Sequence, residues 1–311
     1  MKCLVTGATG FIGRALCRSL AAADIEIVAL SEQGLPTTDD LPTRAIDLSR
    51  CDVAPELWQG VDAVVHLAGI AHRTATDEQY EQINHQATMR LARNARDAGV
   101  GCFVFLSSVK AMGTANGVLE RVETDALEPQ DNYGRSKWLA EKNLRRELEG
   151  SEMSLVILRP ALVYGEGVKG NLATMARAVR AGMPRPPCAG GRSMIALPDL
   201  VSLIMLLITS PPQGQRTWIV SDGECYSTRR IYDEMRVALG RGPGVAWLPL
   251  WGWRLGLWLV DAMRPQSESV SERILGYECY SNKALCEATQ WSPAAHSQAV
   301  MTALVVAGKP C

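Results

Sequence analysis

The stretch that decides the fold is MKCLVTGATGFIGRALCRSLAA, residues 1–22. A short apolar run, 2–6, is followed by Gly7, Gly10 and Gly13 and then by helical periodicity over 11–22. Glycines between a strand and a helix allow a tight turn, let backbone approach a pyrophosphate, and let the helix pack on the sheet. The helix N-terminus adds unpaired N–H donors for the phosphates. Strand, turn and helix occur here in the required order, so the stretch is read as a dinucleotide site with Gly7, Gly10, Phe11, Ile12 and Gly13 as candidate cofactor-binding residues.

Outward from this turn, apolar strand-like runs at 25–30, 63–67, 102–106 and 155–158 are separated by helical patterns at 78–98 and 132–149. Such alternation predicts βαβ units, that is, an α/β fold with a doubly wound, Rossmann-like parallel sheet covered by helices on both faces. After Arg159-Pro160 the regularity weakens, and prolines cluster at Pro184, Pro186, Pro187, Pro211 and Pro212. The expected organisation is a dinucleotide-binding domain over 1–160 and a smaller, mainly helical substrate lobe over 161–311, with later segments such as 217–220 returning to the sheet.

The 311-residue chain carries 32 Lys and Arg against 33 Asp and Glu, a formal net charge of −1. Its basic residues are scattered, so no electrostatic footprint for nucleic acid or an anionic membrane is expected, and a small-molecule partner is. Nine cysteines, widely spaced and never in CxxC, suggest neither a metal site nor a disulfide framework. Together with the missing signal-peptide pattern they point to a reducing cytoplasm. The segment VAWLPLWGWRLGLWLV, 245–260, is too short to span a bilayer and contains Arg254. It is expected to be a core-facing or substrate-covering helix, the alternative being interfacial docking through its tryptophans.

The GxxGxxG spacing resembles that of the short-chain dehydrogenases/reductases rather than the GxGxxG of other Rossmann enzymes. Three segments carry the resemblance further: Asp47-Leu48, which would lie by the adenine; HLAG at His66–Gly69, which brings Leu67 and Ala68 to the cofactor; and Asn84 with Thr88 in N-x-x-x-T spacing. The cofactor implied is NAD or NADP. An acid at the end of the second strand would bind the ribose 2′-hydroxyl of NAD. Ser31 stands there, with Glu32 next to it and Arg14 near enough in sequence to meet a 2′-phosphate. Glu32 and Arg14 read equally well as solvated surface charges.

DNYGRSKW places Tyr133 and Lys137 in Y-x-x-x-K spacing on one helix face, and FLSSVKAMG ends an apolar strand with two serines. By the resemblance Ser108, Tyr133 and Lys137 are the catalytic group, Tyr133 and Lys137 also touching the cofactor. Free tyrosine ionises near pH 10, so acting near neutrality calls for a fall of about 3, roughly 4 kcal/mol. An ammonium about 4 Å away at an effective dielectric near 20 contributes on that order, so Lys137 is expected to supply much of the shift, with the positive charge of oxidised nicotinamide adding more.

The extended branch of the family uses its C-terminal lobe to hold a nucleoside-diphosphate sugar. LRPALVYGEGVKGNL and RSMIALPDL resemble its substrate segments, which implies Asn171 and Arg192 on the phosphate side, with Arg273 as a second phosphate ligand and Ser108 touching the sugar. Arg273 serves equally as a surface charge. Ser193, Ala196 and Pro198 depart from the family pattern, whereas Asp199 keeps to it. SSVKAMG, YGRSKWLAEKNL and RPALVYGEGVKGNL, including Lys110 and Lys169, are most similar to bacterial O-antigen reductases of UDP-N-acetylquinovosamine and UDP-N-acetylfucosamine synthesis. The reaction implied is reduction of the 4-keto group of a UDP-2-acetamido-2,6-dideoxyhexulose. A UDP-sugar 4-epimerase is the nearest alternative; a 4,6-dehydratase fits less well because Val109-Lys110 follow Ser108. A non-catalytic NAD(P)-binding regulator on the same fold is a third reading. A homodimer through 78–98 and 133–149 is the assembly expected from the family, and no metal is expected.

Overall fold

In β1 (Lys2–Thr6) the side chains alternate: Cys3 and Val5 enter one hydrophobic core and Leu4 enters another. The computed structural model describes residues 1–37, 39–71, 75–114, 120–168, 170–263, 269–295 and 301–302. After β1 come α1 (Phe11–Ala22), β2 (Glu26–Ser31), β3 (Arg44–Ala45), β4 (Ala63–His66) and α2 (Asp77–Tyr80). A π-helical stretch (Glu81–Gln86) runs into α3 (Ala87–Asp97), followed by β5 (Cys102–Leu106), a 3₁₀ turn (Val109–Met112), α4 (Asn132–Glu147) and β6 (Ser154–Pro160). The remainder comprises β7 (Leu162–Tyr164), α5 (Asn171–Arg180), β8 (Gly191–Ala196), α6 (Leu197–Thr209), β9 (Gln215–Val220) and β10 (Cys225–Tyr226). It ends with α7 (Thr228–Ala238), α8 (Leu250–Met263), α9 (Val270–Leu275), β11 (Tyr277–Glu278) and α10 (Lys283–Thr289).

Seven parallel strands form the main sheet in the order β3-β2-β1-β4-β5-β6-β9, the doubly wound arrangement read from the sequence. Period-2 alternation gives each face its own core. Val104, Val156 and Leu158 pack with Leu16, Leu20, Leu200 and Ile204 on one side; Phe103, Phe105, Leu155 and Ile157 pack with Leu91, Ala92 and Leu144 on the other. The chain order reverses between β1 and β4, where a crevice opens at the carboxyl ends of the strands. The loops beyond β1, β4 and β5 meet there.

A second sheet sets β8 between β10 and β11, with β7 also paired to β8. Its core, with Tyr164, Leu172, Met194, Tyr226 and Tyr232, is separate from the two around the main sheet. Cys225 and Cys279 lie side by side, with Cα atoms 5.6 Å apart. Their 54-residue separation hides the pair in sequence; β10 and β11 bring them together on either side of β8, over Gly191.

The tryptophan-rich segment is core-facing in part. Trp253 and Leu257, one turn apart, are the buried side chains of α8, whereas Trp251, Leu255, Trp258 and Leu259 are exposed. The helix is thus core-facing along that one narrow edge. Among the described residues no helix is long and apolar enough to cross a membrane.

Candidate active site

Gly7 sits at φ +69°, the left-handed region that favours glycine, and a Cβ there would come within 2.8 Å of the Ala68 amide nitrogen. The turn therefore rests directly on the Leu67-Ala68 backbone. A Cβ on Gly13 would run into the Gly7 carbonyl oxygen, so the first turn of α1 can approach β1 only with glycine there. Gly10 is the helix N-cap, and no side chain caps it among the described residues. The amides of Phe11, Ile12 and Gly13 are thus presented at the positive end of α1 beside a cradle that any Cβ would fill. These features fit a pyrophosphate.

At the far end of that cradle a cavity of about 230 Å³ is lined by Thr9, Arg14, Ser31, Glu32 and Thr37 among others. The Ser31 hydroxyl is already engaged, sharing a 2.7 Å bond with Thr43 Oγ1 and accepting from the Gly34 amide at 3.0 Å. Asp47 accepts from the amide and hydroxyl of Ser49, which hold its carboxyl below the usual range, and the Leu48 carbonyl accepts from Arg90. Both residues shape the rim of the loop, while Arg14 and Glu32 place opposite charges on one cavity wall.

His66 is a tether inside the sheet. Its Nδ1 meets Thr6 Oγ1 at 2.7 Å and its Nε2 meets Thr88 Oγ1 at 2.8 Å, while Phe105 stacks on the ring. Burial, followed by the nearby charge of Lys137, pushes its pKa down to about 3, so it is neutral at physiological pH. The helical pattern at 78–98 contains the π-helical stretch around Asn84, an irregularity that sequence periodicity does not reveal. There Asn84 accepts from the Ile70 amide and donates to the Ile70 carbonyl and to Ser136 Oγ. A Cβ on Gly69 would lie 2.9 Å from Asn84 Oδ1 and 3.3 Å from Lys137 Nζ, which accounts for the glycine that ends HLAG.

The structure brings Ser108, Tyr133 and Lys137 together at the carboxyl end of β5. Asp131 caps α4 by accepting from the Gly134 amide at 2.7 Å, and this sets Tyr133 in the first turn. A Cβ on Gly134 would meet the Lys110 carbonyl at 2.5 Å, so the glycine after Tyr133 lets α4 close against the turn that begins at Ser108. The two serines diverge along the extended backbone. Ser107 donates to the buried carboxylate of Glu141 at 2.6 Å, whereas Ser108 caps the 3₁₀ turn and hydrogen-bonds Tyr133. Arg159 also holds Glu141, through Nε at 3.0 Å and Nη2 at 2.7 Å.

The electrostatics differ from the sequence-based expectation. Burial pushes Tyr133 up to about 12, with the Ser108 hydrogen bond opposing it. Lys137 does not lower the tyrosine in the chain by itself. Burial brings its own pKa down to about 8 against the pull of Glu141, and its ammonium donates to the Leu106 carbonyl at 3.0 Å. Tyr133 is therefore a protonated hydroxyl near pH 7, with a weakened cation one turn further along α4.

In the second sheet, Arg192 of β8 donates to Glu278 Oε2 at 2.5 Å and to the Glu272 carbonyl at 3.1 Å. Lys110, two residues beyond Ser108, meets the other carboxylate oxygen of Glu278 at 2.9 Å. Burial would raise the Glu278 carboxyl, but the two cations outweigh it and hold the pKa below the usual range. Sequence reasoning missed Glu278, for it lies 168 residues from Lys110 and outside every segment that drew attention. Asn171 is exposed at the start of α5. Asp199 accepts from the amides of Ala294 and Ala295, which makes it a tie for the closing segment. The side chain of Arg273, and Lys169, lie outside the described residues.

With this geometry in hand, the chain can be compared with known proteins. The profile of the "NAD dependent epimerase/dehydratase family" matches residues 3–220. A UDP-glucose 4-epimerase of Vibrio cholerae is 35% identical over 263 residues, covering 81% of this chain and 80% of that one. Among solved structures, MoeE5 in complex with UDP-glucose and NAD superposes with a TM-score of 0.78 at 22% identity, over 98% of each chain. The UDP-glucose 4-epimerase of Thermus thermophilus in complex with NAD gives 0.75 at 22% identity, over 99% of this chain and 98% of that one. At such identities the two structures speak for the fold.

Proposed function

This chain belongs to the NAD dependent epimerase/dehydratase family, and from that premise we propose that it reduces the 4-keto group of a UDP-2-acetamido-2,6-dideoxyhexulose. It is an NAD(P)-dependent enzyme, and the substrate follows from the likeness of SSVKAMG, YGRSKWLAEKNL and RPALVYGEGVKGNL to O-antigen sugar reductases. The observation that supports this reading is the Tyr133 hydroxyl, which burial keeps protonated against the opposing hydrogen bond of Ser108. A ketone accepting hydride needs a proton for the forming alkoxide, and such a hydroxyl supplies it.

The reduced nicotinamide, when bound, supplies the hydride. The glycine turn, with Phe11 and Ile12, holds the pyrophosphate; Leu67, Ala68, Asp47, Leu48 and Ser31 line the path to the adenosine. Ser108 orients the sugar oxygen, Tyr133 protonates it, and Lys137 holds a positive charge behind the tyrosine. Lys110 and Arg192 bring two cations to one carboxylate, an arrangement that suits the diphosphate of a UDP-sugar. Asn171 and Arg273 complete the phosphate side. On this reading 1–160, with the later strand and helices that complete its sheet, is the cofactor half, and 161–311 is mainly the substrate lobe. The chain pairs as a homodimer through 78–98 and 133–149.

A UDP-sugar 4-epimerase is the second reading, favoured by the 35% identity to the Vibrio cholerae enzyme. It uses the same residues but retains its NAD through oxidation and re-reduction. Anaerobic incubation with UDP-2-acetamido-2,6-dideoxy-4-keto-glucose and NADPH or NADH distinguishes them. Stoichiometric loss of reduced nicotinamide with a new 4-hydroxyl sugar by NMR is the expected result. Unconsumed cofactor, with interconversion of UDP-GlcNAc and UDP-GalNAc in a parallel tube, would replace the first reading with the second.

A further inference from the structure

We propose that Ser107 and Glu141 are positioning residues for the proton-transfer step: together they fix where Ser108 stands against Tyr133. The inference rests on the catalytic reading of Ser108, Tyr133 and Lys137 given above, and it assigns a role to two buried polar groups that this reading does not use.

Three residues of α4 take hold of three consecutive residues where β5 ends. Tyr133, Lys137 and Glu141 follow one another at intervals of four, so they lie along one face of the helix. Tyr133 hydrogen-bonds the Ser108 side chain, Lys137 Nζ donates to the Leu106 carbonyl at 3.0 Å, and Glu141 Oε1 accepts from Ser107 Oγ at 2.6 Å. The first two contacts belong to groups that must also meet substrate and cofactor. The third is sealed off, with Glu141 fully buried and Ser107 only 3% exposed. It can therefore stay fixed while the other two exchange partners during turnover.

The anchor is itself held from two sides. Arg159 of β6 donates to both carboxylate oxygens of Glu141, at 3.0 Å through Nε and 2.7 Å through Nη2. Arg145, one turn further along α4, donates to Glu141 at 3.2 Å and reaches Thr217 of β9 at 2.8 Å. The Ser107 amide donates to the Leu158 carbonyl of β6 at 2.8 Å. Main chain and side chain of Ser107 are thus both tied, and Ser108 is the next residue beyond this fixed point. A carboxylate suits the task, because charge-assisted hydrogen bonds are shorter and stronger than neutral ones and two guanidinium groups set its orientation.

From there Ser108 starts the 3₁₀ turn, its Oγ accepting from the Lys110 amide at 3.1 Å. A displacement at Ser107 therefore reaches Ser108 and the turn together. Misplacing a reacting group by about 1 Å can cost on the order of 100-fold in rate. The loss of a merely structural bond is read in stability, whereas the loss of a positioning bond is read in kcat.

The test is steady-state kinetics of Ser107→Ala and Glu141→Asp in whichever of the two UDP-sugar reactions the chain turns over, with Tyr133→Phe alongside and amide hydrogen exchange on the same proteins. Ser107→Ala removes the donor but leaves Glu141 with both arginines, so the variant should fold. Its kcat should fall roughly 10- to 100-fold, with KM and NAD(P) affinity within about threefold of the parent. Glu141→Asp keeps the charge and draws the acceptor back by one methylene, and should lower kcat by a similar factor. The double variant should be no slower than the worse single one, since both break the same contact. The Lys110 amide, which reads the Ser108 cap directly and needs no substrate, should exchange faster in both single variants. Full turnover in Ser107→Ala, a loss through KM alone, or an unchanged Lys110 amide would overturn the proposal. If Tyr133→Phe also keeps full turnover, the catalytic reading falls with it; if Tyr133→Phe is slow and Ser107→Ala is not, only the positioning role falls.

Discussion

The two ends of the candidate site are built on opposite principles. At the cofactor end Tyr133, Lys137 and His66 are desolvated, and burial moves all three away from the charged form, Tyr133 up to about 12, Lys137 down to about 8 and His66 down to about 3. At the substrate end Lys110, Glu278 and Arg192 hold one another in the charged form, and Glu278 is shifted downward despite its burial. A dry, rigid end keeps a proton on an oxygen until chemistry calls for it.

The largest effect expected from this contrast is on turnover. Tyr133→Phe should lower kcat by roughly 10²- to 10⁴-fold while leaving NAD(P) binding intact, measured by turnover and by nucleotide titration. Full turnover in that variant would remove the tyrosine from the reaction. Next comes Glu141→Gln, which leaves Arg159 buried opposite a neutral amide and should cost about 3–5 kcal/mol in denaturant unfolding. A loss under about 1 kcal/mol would mean that water reaches the pair.

At the charged end, Glu278→Gln should act on substrate affinity rather than on the proton step. KM for the UDP-sugar should change roughly tenfold with kcat within about threefold, since hydrogen bonds to charged groups contribute about 1.5–3 kcal/mol. An altered melting temperature with unchanged KM would make the cluster a structural tie only.

The pH dependence of stability sharpens the cofactor end. His66 binds a proton at pH 6.5 when unfolded but only near pH 3 when folded, so between those values the unfolded state holds the extra proton. Stability should therefore rise with pH through that window and fall on acidification, by about 1.4 kcal/mol per pH unit for this one group. His66→Gln should flatten that part of the curve by one proton; an unchanged slope would show that the imidazole titrates normally. The smallest effect expected is at the adenosine end. Ser31→Asp should move preference toward NAD over NADP by roughly tenfold, because a carboxylate there accepts from the ribose and repels a 2′-phosphate. No change in that ratio would place cofactor choice with Arg14 and Glu32.

The legible parts of this molecule are the local ones. Gly7, Gly10 and Gly13 announce themselves because the turn they make spans seven residues, and Tyr133 and Lys137 because one helical turn separates them. The doubly wound order follows from strand and helix periodicities that repeat along the first half. Glu278 was invisible because its partners are 86 and 168 residues away, and the Cys225–Cys279 pairing because two short strands on either side of β8 create it. The burial-driven rise of Tyr133 in the chain alone was hidden for a related reason. Spacing places a lysine near a tyrosine, but only packing determines how dry the site is and which acceptor the ammonium chooses.

By itself, then, the sequence determined the parallel sheet and the glycine turn between β1 and α1, since each depends on backbone conformation and side-chain spacing within short segments; the grouping of Ser108 with Tyr133 and Lys137 came from the family resemblance. The tertiary structure alone decided that burial raises the pKa of Tyr133, that Arg192 and Lys110 share a carboxylate, and that Trp251 and Trp258 of α8 are exposed while Trp253 is buried. Desolvation, charge pairing and exposure depend on which distant segments meet, and in this fold the meeting is arranged by β8, β11 and the α8–α9 hairpin.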